Sequence, residues 1–236
     1  MHSRAVSVAP AAYDFSADSF SQNIPQFERF LGELKHTPCR LLEIGAHEGR
    51  SATWLIDNIA THPSATVDTI DAYEKPRLQH NLAATGHREK VTFHAGFSAV
   101  VLPTLPLDSY DFAYIDGNHW AVNVLEDAVL SFRLVKVGGI MAFDDYLWDD
   151  PEWNHEGRPK EAIDAFLTIY SMQIEILYRG YQVWIRKTTA RCNRDRHRLD
   201  EIAVLRAAAV LSPKWLLRLH PRQRLNAFLR RLKAIN

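Results

Sequence analysis

Three short stretches of the chain hold residue types and spacings that could do chemistry. LLEIGAHEGRS (41–51) places Glu43 before two spaced glycines, Gly45 and Gly49; YIDGNH (114–119) contains Asp116 and His119; AFDDY (142–146) contains the pair Asp144–Asp145. The first stretch lacks the Lys-Ser/Thr pair of a phosphate-gripping loop and the three glycines of a dinucleotide fingerprint. What remains, Glu-x-Gly-x-x-x-Gly, suits a cationic, amino-acid-like ligand better than a pyrophosphate. Asp71, in IDAYE (70–74), can accept both hydroxyls of a ribose, because a carboxylate offers two acceptor oxygens. Asp116, Asp144 and Asp145 would repel one another and rise in pKa unless a cation sat among them. An oxygen-only donor set suits Mg²⁺ or a similar hard ion. Histidine as a residue type has a reference pKa of roughly 6.5, which makes His119 a candidate general base. Each group also has a plainer reading. The glycines can be a strand-to-helix turn, Asp71 a solvated strand end, the aspartate pair a loop cap, and His119 the cap of a helix starting at Trp120.

These residues need a scaffold, and the hydrophobic pattern supplies one. A helix is expected over 23–35, with Phe27, Phe30, Leu31 and Leu34 on one face. Strands are expected at 39–45, 65–73, 90–96, 109–117 and 138–146. Helices at 48–60, 76–85 and 119–135, and a short helical turn at 98–102, separate them. Such βα repeats argue for a parallel sheet with helices on both faces. A further helix at 159–170 leads to two strands within 173–187, turning at Arg179–Gly180. The expected fold class is therefore α/β: a Rossmann-like, doubly wound, mostly parallel seven-stranded sheet ending in an antiparallel hairpin strand that makes its edge. In that order strands four and five are neighbours, which brings Asp116 beside Asp144 and Asp145.

The expected organisation is a loose N-terminal lead-in (1–22), one catalytic domain (23–187) and a basic helical tail (188–236). The tail is set apart by charge: residues 186–236 hold 14 of the 28 Lys and Arg residues but 3 of the 28 Asp and Glu residues. The formal net charge is zero, so the total says nothing about partners. Cys39 and Cys192 are far apart and form no zinc or disulfide pattern, which fits a reducing compartment. No signal-peptide core or membrane-length apolar run is read, and a cytoplasmic location is expected.

Taken in order, LLEIGAHEGRS, IDAYE, YIDGNHWAVNVLEDAVLSF, VGGIMAFDDYLW, PKEAIDAFL and YQVWIRK resemble the motifs of class I S-adenosylmethionine-dependent methyltransferases. The likeness is to a bacterial small-molecule or sugar O-methyltransferase group and runs from about residue 24 to 187. It implies that Glu43, Gly45 and Gly49 line the methionine moiety and that Asp71 holds the ribose. Ser98, in GFS (96–98), would contact the adenine, and Asp116 would lie against the cofactor. The acids also resemble the metal site of catechol O-methyltransferase-like enzymes, which carry an Asp followed three residues on by a basic catalytic group, then an Asp-Asn or Asp-Asp pair. Here His119 stands where those enzymes have Lys, which puts the identity of the base in doubt.

The resulting expectation is metal-assisted O-methylation of a small molecule or saccharide. Two other readings stand beside it. A nucleic-acid methylase would suit the basic tail, but the segment after strand four is Ile-Asp-Gly-Asn-His rather than the Asn/Asp-Pro-Pro-aromatic motif that holds a base. A non-catalytic module with the same fold is disfavoured by the intact acid set. Trp148, Trp153 and His155 are candidates for acceptor contact in the loop after the aspartate pair. The tail, with leucines between arginines, is expected to pack on a subunit, its own or a neighbour's in a homo-oligomer. Contact with an anionic membrane is the alternative.

Overall fold

The computed structural model describes residues 12–152 and 157–189. Those up to 188 fall in one compact unit. The chain runs α1 (Ile24–Leu31), β1 (Arg40–Ile44), α2 (Arg50–Asn58), β2 (Thr66–Asp71), α3 (Pro76–Ala84), β3 (Val91–Ala95) and α4 (Ser98–Val101). It continues through β4 (Tyr110–Ile115), α5 (Ala121–Leu134), β5 (Val135–Phe143), α6 (Pro159–Ile169), β6 (Ile174–Arg179) and β7 (Val183–Lys187). The seven strands form one sheet in the order β3-β2-β1-β4-β5-β7-β6. β1 to β5 are parallel, and β7 is antiparallel to both β5 and β6. The antiparallel strand therefore lies one place in from the edge, and β6, parallel to β5, forms the edge itself. β7 earns no exposed place because Val183, Trp184 and Ile185 are all buried.

Strand alternation splits the core in two. Leu41, Val67, Phe112, Tyr114 and Trp184 pack with Phe27, Trp54 and Leu55 on one face; Leu42, Ile70, Met141 and Phe143 pack with Phe132, Ile163 and Phe166 on the other. Two buried lysines close helix ends: Lys90 Nζ donates to Ala60 O at 2.6 Å, and Lys187 Nζ to Phe132 O and Val135 O at 3.0 and 2.6 Å. The second contact helps α5 pass into β5 with no intervening loop, so β5 begins at Val135, three residues before the expected start.

The expectation of a loose lead-in over 1–22 is corrected for the described part, residues 12–22. Phe20 is buried in the core against Phe27, Trp54 and Tyr114. The Asn81 side chain accepts from Asp14 N and donates to Asp14 O, and Glu48 accepts from Ser16 N and Oγ. Short polar residues thus strap this segment across α2 and α3. The basic tail, apart from its first two residues, and residues 153–156, including Trp153 and His155, lie outside the described residues. Among the described residues no helix is long and apolar enough to cross a membrane.

Candidate active site

Parallel strands β1, β2 and β4 carry their functional residues at their carboxyl ends, where the sheet leaves a crevice between diverging connections. Gly45 follows β1 at φ +99°, and a side chain there would meet Asp116 O at 1.9 Å. Gly49 caps α2 at φ +83°, with Leu78 Cδ1 2.9 Å from where its side chain would begin. Both positive dihedrals favour glycine. Both missing side chains also make room for the chain's own packing, so these glycines close the ends of β1 and β4 and seat α2 against α3. Gly45 N donates to Ile70 O and Gly49 N to Ala46 O, so both backbone donors are used internally.

Glu43 is fully buried. One of its oxygens accepts the Ser51 hydroxyl and the other the Thr69 hydroxyl. Burial pushes its carboxyl up to about 7 against the pull of these two donors. Its visible work is to tie β1 to α2 and β2 beneath the turn. Asp71 is half-buried at the end of β2; Oδ2 accepts His47 N at 2.8 Å and Oδ1 accepts Tyr73 N at 3.0 Å. Each oxygen keeps a second lone pair, so the carboxylate fits a ribose diol. Ser98 opens α4.

On the other side, pairing of Ile115 with Phe143 brings the ends of β4 and β5 together. Asp144 N donates to Ile115 O, and Asp144 Oδ2 accepts the Tyr114 hydroxyl and Asn23 Nδ2. Asp145 has φ +57°, an uncommon conformation for a side-chain-bearing residue. Its Oδ2 lies 2.9 Å from His119 Nε2, and its Oδ1 accepts the Tyr181 hydroxyl at 3.0 Å. The His119 ring stacks on Trp148 with centroids 4.5 Å apart. Burial, then the charges of Asp144 and Asp145, raise Asp116 well above the usual carboxylate range. Burial likewise raises Asp144, opposed by the Tyr114 hydrogen bond and assisted by Asp145.

The expected grouping of Asp116, His119, Asp144 and Asp145 is thus formed. The plainer reading of His119 as a helix cap is not seen, since α5 has no side-chain cap and Trp120 N is taken by Asn118 Oδ1. The carboxylates are of the right type for a hard cation, but they do not converge on one centre. Among the described residues no group of three His, Cys, Asp or Glu side chains is gathered to hold a metal ion. Asp144 is turned to Tyr114 and Asn23, and Asp145 to His119 and Tyr181, so a metal held here would have to draw oxygens away from these partners. Sequence reasoning missed Asn23, Tyr114 and Tyr181. Tyr114 stands beside the IDG motif, but its alternation reads as core, and the others approach the site from distant parts of the chain.

A seven-stranded sheet of this order, with the antiparallel β7 inserted between β5 and β6 and the acids at strand ends, is the fold of class I S-adenosylmethionine-dependent methyltransferases. Residues 42–146 match a family model described as a methyltransferase domain. It is similar to the O-methyltransferase TomG of Streptomyces achromogenes, solved with S-adenosylmethionine: TM-score 0.56, 21% identity, over 70% of this chain and 80% of that one. The MycE methyltransferase of the mycinamycin biosynthetic pathway, solved with Mg and S-adenosylhomocysteine, matches with TM-score 0.50 and 14% identity, over 70% of this chain and 49% of that one. Among curated proteins, the uncharacterized protein R132 of Acanthamoeba polyphaga mimivirus is 27% identical over 126 residues, 50% of this chain. The chain covers 55% of that relative's length.

Proposed function

We propose that the protein transfers the methyl group of S-adenosylmethionine to a hydroxyl of a small molecule or saccharide, with His119 as general base. The observation that carries this reading is the His119–Asp145 pair at the joined ends of β4 and β5. Neutral imidazole has one N–H, and a carboxylate only accepts. The 2.9 Å contact to Nε2 therefore assigns the proton to that nitrogen and leaves Nδ1 with the lone pair. Tyr181 holds Asp145, and Trp148 holds the ring plane, which limits rotation of the base. The cofactor supplies a methyl on a cationic sulfur. As the acceptor O–H gives its proton to Nδ1, the new C–O bond forms and the C–S bond breaks, leaving neutral S-adenosylhomocysteine. Positioning of the acceptor in line with the methyl supplies much of the rate gain.

Asp71 would hold the ribose, Ser98 would border the adenine, and Glu43, Gly45, Gly49 and Asp116 would shape the wall beside the methionine. Mg²⁺ at Asp116, Asp144 and Asp145 is the metal extension of this reading, supported by the donor types and by the Mg in the MycE structure. It would lower the pKa of the acceptor hydroxyl. It would also require Asp145 to release His119 or Tyr181, and no step above depends on it. The test is calorimetric titration of S-adenosylmethionine into the full chain, with and without Mg²⁺, beside Asp71→Ala. Saturable binding weakened roughly tenfold by the substitution is expected. Absence of binding under both conditions would overturn the cofactor reading, and identical titrations with and without Mg²⁺, followed by chelator-insensitive turnover, would remove the metal.

A further inference from the structure

Asn23 takes no part in the chemistry above, yet it begins a chain of hydrogen bonds that ends at the base. It lies in the short turn Ser21–Asn23 before α1 and is 5% exposed. Phe20, buried against Phe27, Trp54 and Tyr114, anchors the backbone three residues earlier, and Asn23 N donates to Phe20 O at 2.8 Å. From this anchored turn the Asn23 side chain reaches the end of β5, where Nδ2 donates to Asp144 Oδ2 at 2.9 Å. A carboxylate only accepts, so the amide must present its NH₂ group and not its oxygen. Burying a primary amide is costly unless it is hydrogen-bonded, and this bond offsets that cost.

The chain of bonds runs through both oxygens of Asp144. Oδ2 accepts Asn23 Nδ2 and the Tyr114 hydroxyl, and Oδ1 accepts Asp145 N at 2.9 Å. Donors on both oxygens fix the plane of the carboxylate. That plane sets the direction in which the Asp145 N–H must point. Asp145 stands at φ +57°, a conformation that is unfavourable for a residue with a side chain and is held by local side-chain hydrogen bonds of this kind. From there its oxygens meet His119 Nε2 at 2.9 Å and the Tyr181 hydroxyl at 3.0 Å. Without the Asn23 donor, Oδ2 keeps Tyr114 alone and the carboxylate is free to turn about that contact. The N–H of Asp145 then loses its fixed acceptor, the left-handed turn relaxes, and the Asp145 side chain leaves the ring.

We propose that Asn23 is a positioning residue for the base: it holds Asp144 so that the left-handed turn at Asp145 keeps that carboxylate on His119 Nε2. This rests on the reading of His119 as general base. Asn23 touches no reacting atom and acts through Asp144 and Asp145.

The test needs no acceptor. It follows the imidazole N–H resonances of the full chain, labelled with ¹⁵N in its histidines, and their exchange with water. An N–H bonded to a carboxylate exchanges more slowly than a free one. In the wild type a protected Nε2–H resonance that is missing from His119→Ala is expected. The Nε2 of His94, 2.7 Å from Asp68 Oδ1 on another part of the sheet, is the internal reference, assigned in the same way. Asn23→Ala should speed exchange at His119 by about tenfold or more, the scale of one hydrogen bond to a charged group, and leave His94 unchanged. Should Asn23→Ala fail to fold, Asn23→Leu, which fills a similar volume and donates nothing, decides the matter. A merely structural Asn23 would lower the urea midpoint with both resonances still protected, and that result would overturn the proposal while the base reading stands. Equal acceleration at both histidines would overturn it too, because the substitution would then only loosen the fold. A wild type with no protected N–H at His119 would overturn both the proposal and the oriented base.

Discussion

Two buried carboxylates toward the carboxyl ends of strands on either side of β4, Glu43 on β1 and Asp144 after β5, look alike and are used differently. Each takes hydroxyl donors: Glu43 from Ser51 and Thr69, Asp144 from Tyr114. Each is raised in pKa chiefly by burial. Glu43 is fully enclosed and stands alone, with Asp71 contributing a minor repulsion. Asp144 adjoins Asp145 and Asp116, and these three share one patch with His119. The glycine side of the crevice is therefore defined by backbone shape, with its acid serving as a rivet. The β4–β5 side is defined by crowded charge and an oriented base. Substitutions on the first side should cost fold and ligand affinity, whereas those on the second should cost turnover.

The sharpest break in the comparison is Gly45→Ala. The methyl group would overlap the Asp116 carbonyl at 1.9 Å and stand at φ +99°, so the ends of β1 and β4 must separate. Strain of this kind is worth about 1–3 kcal/mol for the dihedral alone, with the backbone clash adding to it. A loss of roughly 3 kcal/mol or more in urea unfolding is expected, with cofactor binding abolished. A variant of wild-type stability would show that the turn can relax and that the shape argument is wrong.

On the charged side the corresponding change is His119→Ala. It removes a group that is 39% exposed in its side chain, so stability should move little. Turnover should fall on the order of 100-fold or more, the contribution of a positioned general base, while S-adenosylmethionine binds unchanged. Asp145→Asn should cost turnover to a comparable degree, because Tyr181 selects the amide oxygen and the NH₂ group then donates to Nε2, moving the ring proton to Nδ1. Single-turnover rates and cofactor titration separate the two effects. Equal rates for wild type and His119→Ala would remove the base assignment.

Much of this contrast was legible in the chain itself. Apolar runs mark β1 and β4, and the strand-order rule by itself places Asp116 near Asp144 and Asp145. What escaped has a common physical cause. Asn23 reaches Asp144 across 121 residues of sequence, and Ser16 reaches Glu48 across 32. Short polar residues in a Ser- and Asp-rich stretch carry no periodicity, so the docking of 12–22 could not be read. Gly49 shortened α2 by entering the left-handed region and becoming its cap, which spacing alone does not reveal. The three-residue early start of β5 follows from Lys187 gathering the carbonyls at the end of α5. The orientation of the carboxylates was also beyond sequence: types and spacing suggest a metal set, and only the partners Tyr114, Asn23, His119 and Tyr181 show where the oxygens are spent.

Glu43→Gln tests the rivet with the smallest expected effect. Burial lifts the folded-state pKa from 4.5 to about 7. Between these values the folded protein holds a proton that the unfolded chain has released. Stability then falls as pH rises through this window, and the loss is complete above about 7. Glutamine does not titrate. It offers one acceptor oxygen where Glu43 offers two, so either Ser51 or Thr69 must turn its hydroxyl to accept. That rearrangement changes stability by an amount that does not vary with pH. The pH slope therefore isolates the carboxyl: between pH 5 and pH 8 the variant should gain about 1–3 kcal/mol relative to wild type in urea unfolding. Parallel stability profiles would mean that Glu43 does not change its charge on folding, and that the two carboxylates differ less than their surroundings indicate.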